Sequence, residues 1–316
     1  MRVIDSINNR KSTLFSFEVL PPLKGNSIQS LFNVIEKLRE FDPKYINITS
    51  HHSEYVYKTH EDGSIQKVNL LKRPGTVAIA AAIQQRFNIP AVPHIICKGF
   101  TKDETEYALL DLYYLGINNL LVLRGDSKGL EIPAKDAHLY HEHATDLQEQ
   151  INQFNQGIGL DGPIKGIETP FSYGMAVYPE KHEEAPNMDS DLYYAKMKVD
   201  NGADYLITQM FFDNQKYYDF VNKCRAAGIN VPIIPGIKPI VLRNQLNVLP
   251  KIFRSDIPEP FATELRKCTT DEQAKQVGAE WCLYQCKDLI AHGVPGIHFF
   301  TMLASDSVYK VAKEIY

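Results

Sequence analysis

No stretch of this 316-residue chain is apolar for long enough to cross a membrane; a span needs about 18 consecutive apolar residues. Neither sign of charge dominates. Lys and Arg number 34 against 38 Asp and Glu, a formal charge of −4. No basic stripe is available for nucleic acid or a membrane surface, so neither partner is expected. The segment Met1 to Thr13 is polar and charged, without the apolar core of a secretory leader. A cytoplasmic location is therefore expected. Cysteine is scarce and odd in number: Cys97, Cys224, Cys268, Cys282 and Cys286. That excludes a disulfide framework as an expectation. Cys282 and Cys286 stand one helical turn apart, but no Cys-x-x-Cys pair accompanies them. Two small apolar residues on a buried helix face are preferred to a zinc site, and no metal is expected. Linkers, composition shifts and low-complexity segments are also missing.

What is present is a repeating alternation. Short β-branched runs occur at Leu14 to Leu20, Tyr45 to Ser50, Ala91 to Cys97, Leu120 to Gly125, Tyr173 to Tyr178, Tyr205 to Met210, Val231 to Ile237 and Gly296 to Met302. Between them lie runs of helical period. The first, about Ser27 to Phe41, places Ile28, Leu31, Ile35 and Leu38 at 3–4 spacing, with Asn26 or Ser27 as cap. Further helices are predicted at Gly75 to Phe87, Thr101 to Leu115, Ala137 to Phe154, Asp189 to Asn201, Asn214 to Ala227, Asn244 to Phe253, Asp271 to His292 and Ser305 to Tyr316. Thr101 to Glu104 reads as a capping box. Residues 51–69 read as a long loop or a small hairpin.

Strands alternating with helices indicate a parallel sheet. Doubly wound sheets usually have five or six strands and a glycine-rich phosphate turn after the first. Here the first strand ends in Glu18-Val-Leu-Pro-Pro. The pattern therefore predicts an eight-fold β/α barrel, the (β/α)8 TIM barrel, as a single domain over residues 1–316. Gly157 to Gly162 formally matches G-x-G-x-x-G, but it follows a polar segment and runs into Pro163, so it reads as a loop.

In such barrels, reactive groups sit at the carboxyl ends of the strands. Those ends carry Glu18, Thr49, His94, Arg124-Gly125-Asp126, Tyr178 followed by Glu180 and His182, Gln209, Lys238 and Thr301. A lone polar residue in an apolar strand is commonly a satisfied core group. Polar residues at the same end of every strand point to a shared pocket. Glu18 lies between Phe17 and Val19, surroundings that favour a general acid. An ion pair with Arg124 or Lys238 is the structural alternative. Gly125 would let the backbone approach a flat ligand. His138, His141 and His143 lack a carboxylate fixed by spacing. A solvated helix start, or contact with a ligand, is preferred to a metal there.

Several of these stretches resemble one family. They are Phe15-Ser-Phe-Glu18 with Pro21-Pro22, Pro93-His94, Leu123-Arg-Gly-Asp126, Tyr178-Pro-Glu with His182 and Ala185, Lys198 with Asp200 and Gly202-Ala203, Ile207-Thr-Gln209 with Phe211-Phe-Asp213, Ile234-Pro-Gly-Ile237 with Pro239, and His298-Phe with Thr301. In this order they resemble methylenetetrahydrofolate reductase, over its catalytic barrel only. No regulatory domain like that of eukaryotic relatives is expected. The resemblance implies an FAD-binding barrel that takes hydride from NADH or NADPH. In a separate half-reaction the hydride passes to 5,10-methylenetetrahydrofolate, forming 5-methyltetrahydrofolate for methionine synthesis. It implies Glu18 as the general acid that helps open the folate ring, with Asp126 near both flavin and pterin. It implies folate contacts at Asp126, Gln209 and Gln245, with Gln209 also able to meet the nicotinamide. It implies FAD contacts at Thr49, His94, Arg124, Gly125, Asp126, Ala144, Tyr178, His182, Ala185, Asp191 and Lys198. A homo-oligomer is expected by the same analogy.

The sequence also departs from the family. Strand eight reads His298-Phe-Phe-Thr-Met-Leu-Ala304, without the Tyr and Arg that relatives often carry there. Tyr194 and Met197 replace polar residues that contact FAD, and Leu249 stands where a Phe often packs. Residues 51–69 and 155–170 look longer than in short bacterial relatives. Other readings are a barrel reduced by ferredoxin or a partner subunit, a folate or flavin carrier without turnover, and a Schiff-base aldolase. The last is weak because Lys198 is predicted on a helix and only Lys238 follows a strand.

Overall fold

Side chains of a strand point alternately to its two faces, and in this protein that alternation separates an apolar shell from a partly polar interior. The computed structural model describes residues 1–125, 132–302 and 304–316, apart from the side chains of Tyr55 and Asn69. The central strands are β1 (Leu14–Val19), β2 (Tyr45–Ile48), β3 (Ala91–Ile96), β4 (Asn119–Leu123), β5 (Ser172–Val177), β6 (Tyr205–Thr208), β7 (Ile233–Ile234 and Gly236–Ile237) and β8 (Gly296–Phe300). Neighbouring segments pair in parallel. The sheet starts on Ile233–Ile234, passes through β6, β5, β4, β3, β2, β1 and β8, and ends on Gly236–Ile237. Its nine segments thus form a nearly closed barrel whose two edges are the halves of β7, as expected. Pro235 splits that strand because it has no N–H to give the ladder. Its carbonyl still accepts from His298 N at 3.0 Å.

Outward residues such as Phe15, Phe17, Ile46, Val122, Met175, Leu206 and Phe299 pack under the helices. Inward residues Leu14, Tyr45, Val92, Leu121, Tyr205, Ile207 and Ile234 fill the amino end of the barrel. Val3 and Ile7 of the helix Val3–Asn8 join them and plug that end. Val3 N donates to Asn119 Oδ1 at 2.8 Å, which fixes the plug. Sequence periodicity missed this helix, because two buried residues in a single short element make no pattern. A further core forms at the carboxyl side from Met210, Phe212, Ile240, Leu249, Phe261 and Leu265. There the Trp281 ring stacks on Phe261 at 4.6 Å. The helix Glu259–Lys267, also unexpected, opens with proline in its first turn, where no N–H is missed.

Most predicted helices are present within a residue or two. The Thr101 capping box is closed by Glu104 N to Thr101 Oγ1 at 3.1 Å and Thr101 N to Glu104 Oε2 at 2.8 Å. The helix expected over 137–154 is corrected: Ala134–Leu139 is a 3-10 stretch and the α-helix is Ala144–Asn155. His143 is extended and its N–H is taken by Asp146 Oδ2 at 2.9 Å, which restarts the helix after it. Strand ends are also corrected. β4 stops at Leu123, β6 at Thr208 and β8 at Phe300, so Arg124, Gln209 and Thr301 begin loops. Of the two readings for residues 51–69, the hairpin is found, as Glu54–Thr59 paired with Ile65–Leu70. Gly157 to Gly162 lies in a two-residue ladder, Ile158–Gly159 with Gly162–Pro163, and is a turn. Cys282 and Cys286 lie in the main apolar core.

Candidate active site at the carboxyl end of the barrel

Glu18 shares its inward parity with Leu14 and Ser16 and is only 3% exposed. Register places it beside Asn47 on β2 and Phe300 on β8. His298 Nε2 stands 4.0 Å from Glu18 Oε2, and its Nδ1 lies 3.0 Å from Ser16 Oγ. Thr301 Oγ1 donates to the backbone carbonyl of Glu18, tying the turn after β8 to β1. Among the described residues, Asn47 Oδ1, Asn47 Nδ2, His94 Nε2 and His298 Nε2 are buried without a hydrogen-bond partner. Buried polar atoms are rarely left so, and here they share the inward parity of the strands above the apolar plug. Burial pushes the His94 imidazole down to about 4, against the pull of Glu18. Neutral near pH 7, it can serve a ligand as donor or acceptor. Glu18 is not paired with Arg124, whose guanidinium is bonded by Glu184.

A second polar group lies at the ends of β4 and β5. Arg124 Nη1 holds Glu184, while Arg124 Nε is buried and has no hydrogen-bond partner among the described residues. The bond to Glu184 raises the arginine, and the same bond lowers the carboxyl. Glu184 N donates to His182 Nδ1 at 3.2 Å, and His182 N donates to Asp191 Oδ2 at 2.9 Å. The His182 ring meets Tyr178 edge-on at 4.6 Å. Lys198, on the helix Met188–Asp200, donates through Nζ to the Ala176 carbonyl at 2.8 Å. Burial lowers its proton affinity and Asp191 opposes that. Ala185 is buried, and Lys181 Nζ donates to its carbonyl at 2.5 Å. Gly125 takes φ of +82°, and a Cβ there would lie 3.1 Å from the Ile96 side chain. That combination favours glycine and leaves the backbone bare.

The remaining expected residues are placed differently. Thr49 is buried, with Oγ1 3.3 Å from His51 Nε2. Ala144 opens its helix behind the His143 cap. Gln209 Oε1 accepts from its neighbour Met210 N at 2.9 Å. Gln245 Oε1 accepts from Val241 N at 2.8 Å and Leu242 N at 3.1 Å, so its carbonyl shapes the loop after β7. Asp126 lies outside the described residues. His141 Nε2 is bonded to Gln150 Oε1 at 2.6 Å, and His143 is a helix cap. Sequence reasoning missed Glu184 and the position of His298 beside Glu18. The inward parity of His298, matched to Ser16 in register, was the available signal.

The family model described as methylenetetrahydrofolate reductase matches residues 3–316. The chain belongs to this family. It is 31% identical over 297 residues to the 5,10-methylenetetrahydrofolate reductase of Salmonella typhimurium, covering 94% of this chain and 88% of that protein. It is 29% identical over 315 residues to a probable methylenetetrahydrofolate reductase (NADPH) of Caenorhabditis elegans. That match covers 99% of this chain but spans only 43% of the nematode protein. Among solved structures, a Clostridium thermocellum protein described as binding two copies of 5-methyl-5,6,7,8-tetrahydrofolic acid shares the fold. Its TM-score is 0.58 at 16% identity, with 98% of each chain covered. Among the described residues, no helix is long and apolar enough to cross a membrane.

Proposed function

We propose that this protein is an FAD-dependent methylenetetrahydrofolate reductase that uses NADH or NADPH in two alternating half-reactions. The observation that carries this reading is Glu18: a family-matching carboxyl, buried at the carboxyl end of the barrel and, among the described residues, without a Lys or Arg within 4.0 Å. The residues at the ends of β3, β4 and β5 fit FAD. Lys198 and Arg124 supply two cations for a pyrophosphate. The unpartnered Arg124 Nε and His94 Nε2 are unused donors or acceptors, and bare backbone at Gly125 admits a flat ring. Tyr178, His182, Ala185 and Asp191 complete that wall, with Thr49 and Ala144 beside it. When bound, FAD supplies a two-electron store between the nicotinamide and the folate carbon.

The protein's own part is proton delivery and orientation. Glu18 in its protonated form gives its proton to a ring nitrogen of methylenetetrahydrofolate, which opens the five-membered ring. Its Oε2 lies on the β8 side, 4.0 Å from His298 Nε2. The Thr301 bond keeps the β1 backbone fixed while the side chain changes charge. Gln209, after β6, and Gln245, at the start of the helix Gln245–Phe253, offer the folate their amide N–H groups, since their carbonyl oxygens are bonded to backbone N–H groups; Asp126 is the third folate contact that the family resemblance gives.

The test is product formation by purified protein supplied with FAD, methylenetetrahydrofolate and either nicotinamide. One 5-methyltetrahydrofolate should appear for each NADH or NADPH consumed. No product with either nicotinamide, despite bound FAD, would move the electron source to ferredoxin or a partner subunit. Failure to bind FAD at all would sink the proposal.

A further inference from the structure

At the polar end of the barrel, Lys238 is a buried cation with no part in the proposed FAD and folate contacts. Lys238 follows β7 and is 6% exposed, although its side chain ends in a charge. Register fixes where it points. Gly236 pairs with His298 and Ile237 with Phe299, so Lys238 falls level with Phe300. Phe300 is the residue that pairs with Glu18 on the other side of β8. Glu18 and Lys238 therefore flank one strand at one level, with backbones about two strand spacings, roughly 10 Å, apart. Lys238 shares the inward parity of Ile234 and Gly236. Its hydrogen bond among the described residues is a long one, Nζ to the Phe300 carbonyl at 3.5 Å. The loop that carries it is pinned, because Gly278 of the helix Asp271–Ala291 lies against the backbone of Ile240.

We propose that Lys238 is a positioning residue for Glu18: its ammonium faces the carboxyl across β8 and stabilises the carboxylate formed when the acid gives up its proton. The proposal rests on Glu18 being the general acid. In that step the Glu18 O–H bond breaks and an N–H bond forms on the folate. The electron pair of the O–H bond stays on the carboxylate, where a fixed positive charge is most useful. Among the described residues, other titratable groups around this point include His298 on β8, His94 on β3, Tyr45 on β2 and His51 beyond β2. Burial holds His94 neutral near pH 7, and burial pushes the Tyr45 phenol up to about 12. Burial lowers Lys238 from the ordinary lysine value, and Glu18 is the group that pulls it back up.

The experiment compares the holoenzyme with Lys238→Met, Lys238→Arg and Glu18→Gln. The rate of the folate half-reaction is measured against pH. An infrared difference band for the Glu18 carboxyl, assigned by its loss in Glu18→Gln, is titrated in parallel. A nearby cation lowers a carboxyl by one to three units. In Lys238→Met the descending limb of the folate half-reaction and the infrared titration should both move upward by roughly one to two units. The plateau below that limb should fall roughly three- to ten-fold, because a weaker acid donates more slowly. Lys238→Arg should restore the limb toward the wild type. A wild-type limb and infrared titration in Lys238→Met would overturn the proposal. So would equal loss of both half-reactions with an unmoved limb, which is the mark of a purely structural lysine. If Glu18→Gln still reduces folate normally, the underlying reading of Glu18 fails instead.

Discussion

Replacing Glu18 by Gln separates proton delivery from everything else the barrel does. Glutamine has nearly the same shape, and the bond from Thr301 goes to the backbone carbonyl, which the change leaves alone. The carboxyl is 3% exposed, and His298 Nε2 lies 4.0 Å from its Oε2. The change removes the cost of burying a carboxylate and leaves the buried Lys238 without that partner, two effects of opposite sign on stability. None of the groups assigned to FAD is on β1; most follow β3, β4 or β5 or lie on the helix Met188–Asp200. Loss of a general acid typically costs 10²- to 10⁴-fold in rate, or about 2.7–5.4 kcal/mol of barrier. The expected outcome is therefore sharply divided. In anaerobic stopped-flow, the nicotinamide half-reaction of Glu18→Gln should keep roughly its wild-type rate. The folate half-reaction should fall by at least about a hundred-fold. A folate half-reaction within roughly ten-fold of wild type would remove Glu18 from the mechanism. Equal loss in both half-reactions would show that Glu18 shapes the site rather than donating a proton.

Other consequences are open to measurement. Lys198→Met removes a charged donor at the end of β5 and should weaken FAD binding roughly 10- to 100-fold, the worth of one charge-assisted hydrogen bond; unchanged FAD affinity in a fluorescence titration would exclude Lys198 from the pyrophosphate site. Burial pushes the Glu180 carboxyl up to about 7 from its ordinary 4.5. The folded protein therefore keeps a proton there that the unfolded chain has released, and stability falls as pH rises between those two values. Glu180→Gln keeps an oxygen for Asp256 N, now 2.8 Å from Glu180 Oε2, and should flatten that part of the melting-temperature profile; a slope equal to wild type would place the titration elsewhere. A Cβ on Gly278 would lie 2.0 Å from the Ile240 carbonyl oxygen. Gly278→Ala should cost about 1–3 kcal/mol in denaturant unfolding, as overpacking does, and no loss would mean that the loop after β7 yields freely.

The barrel was legible because its signal is local and repeated. Each strand is a short β-branched run and each helix a 3–4 pattern, and eight such units leave few alternatives. The misses have local causes too. The Val3–Asn8 helix buries only Val3 and Ile7, and it matters only once the barrel exists to be plugged. The helix Glu259–Lys267 hides behind Pro258 and Pro260. The false extension of the helix at 137–154 ignored the His143 cap, where the side chain of Asp146 competes for the backbone. The site was legible as a set of polar strand ends, but not as a geometry. Arg124 was considered for Glu18 and instead holds Glu184, a residue 60 positions away in sequence. His298 reaches Glu18 only because β8 closes the sheet against β1. Gln245 had a residue type suited to folate, yet its carbonyl is spent on the loop after β7.

The central claim is that this barrel holds FAD and passes electrons from a nicotinamide to methylenetetrahydrofolate. An anaerobic titration followed by the flavin spectrum tests it most directly. Addition of NADH or NADPH should bleach the flavin band, and methylenetetrahydrofolate added afterwards should restore it while 5-methyltetrahydrofolate accumulates. A purified protein that neither retains nor binds FAD, or a bleached flavin that methylenetetrahydrofolate leaves bleached, would contradict the account.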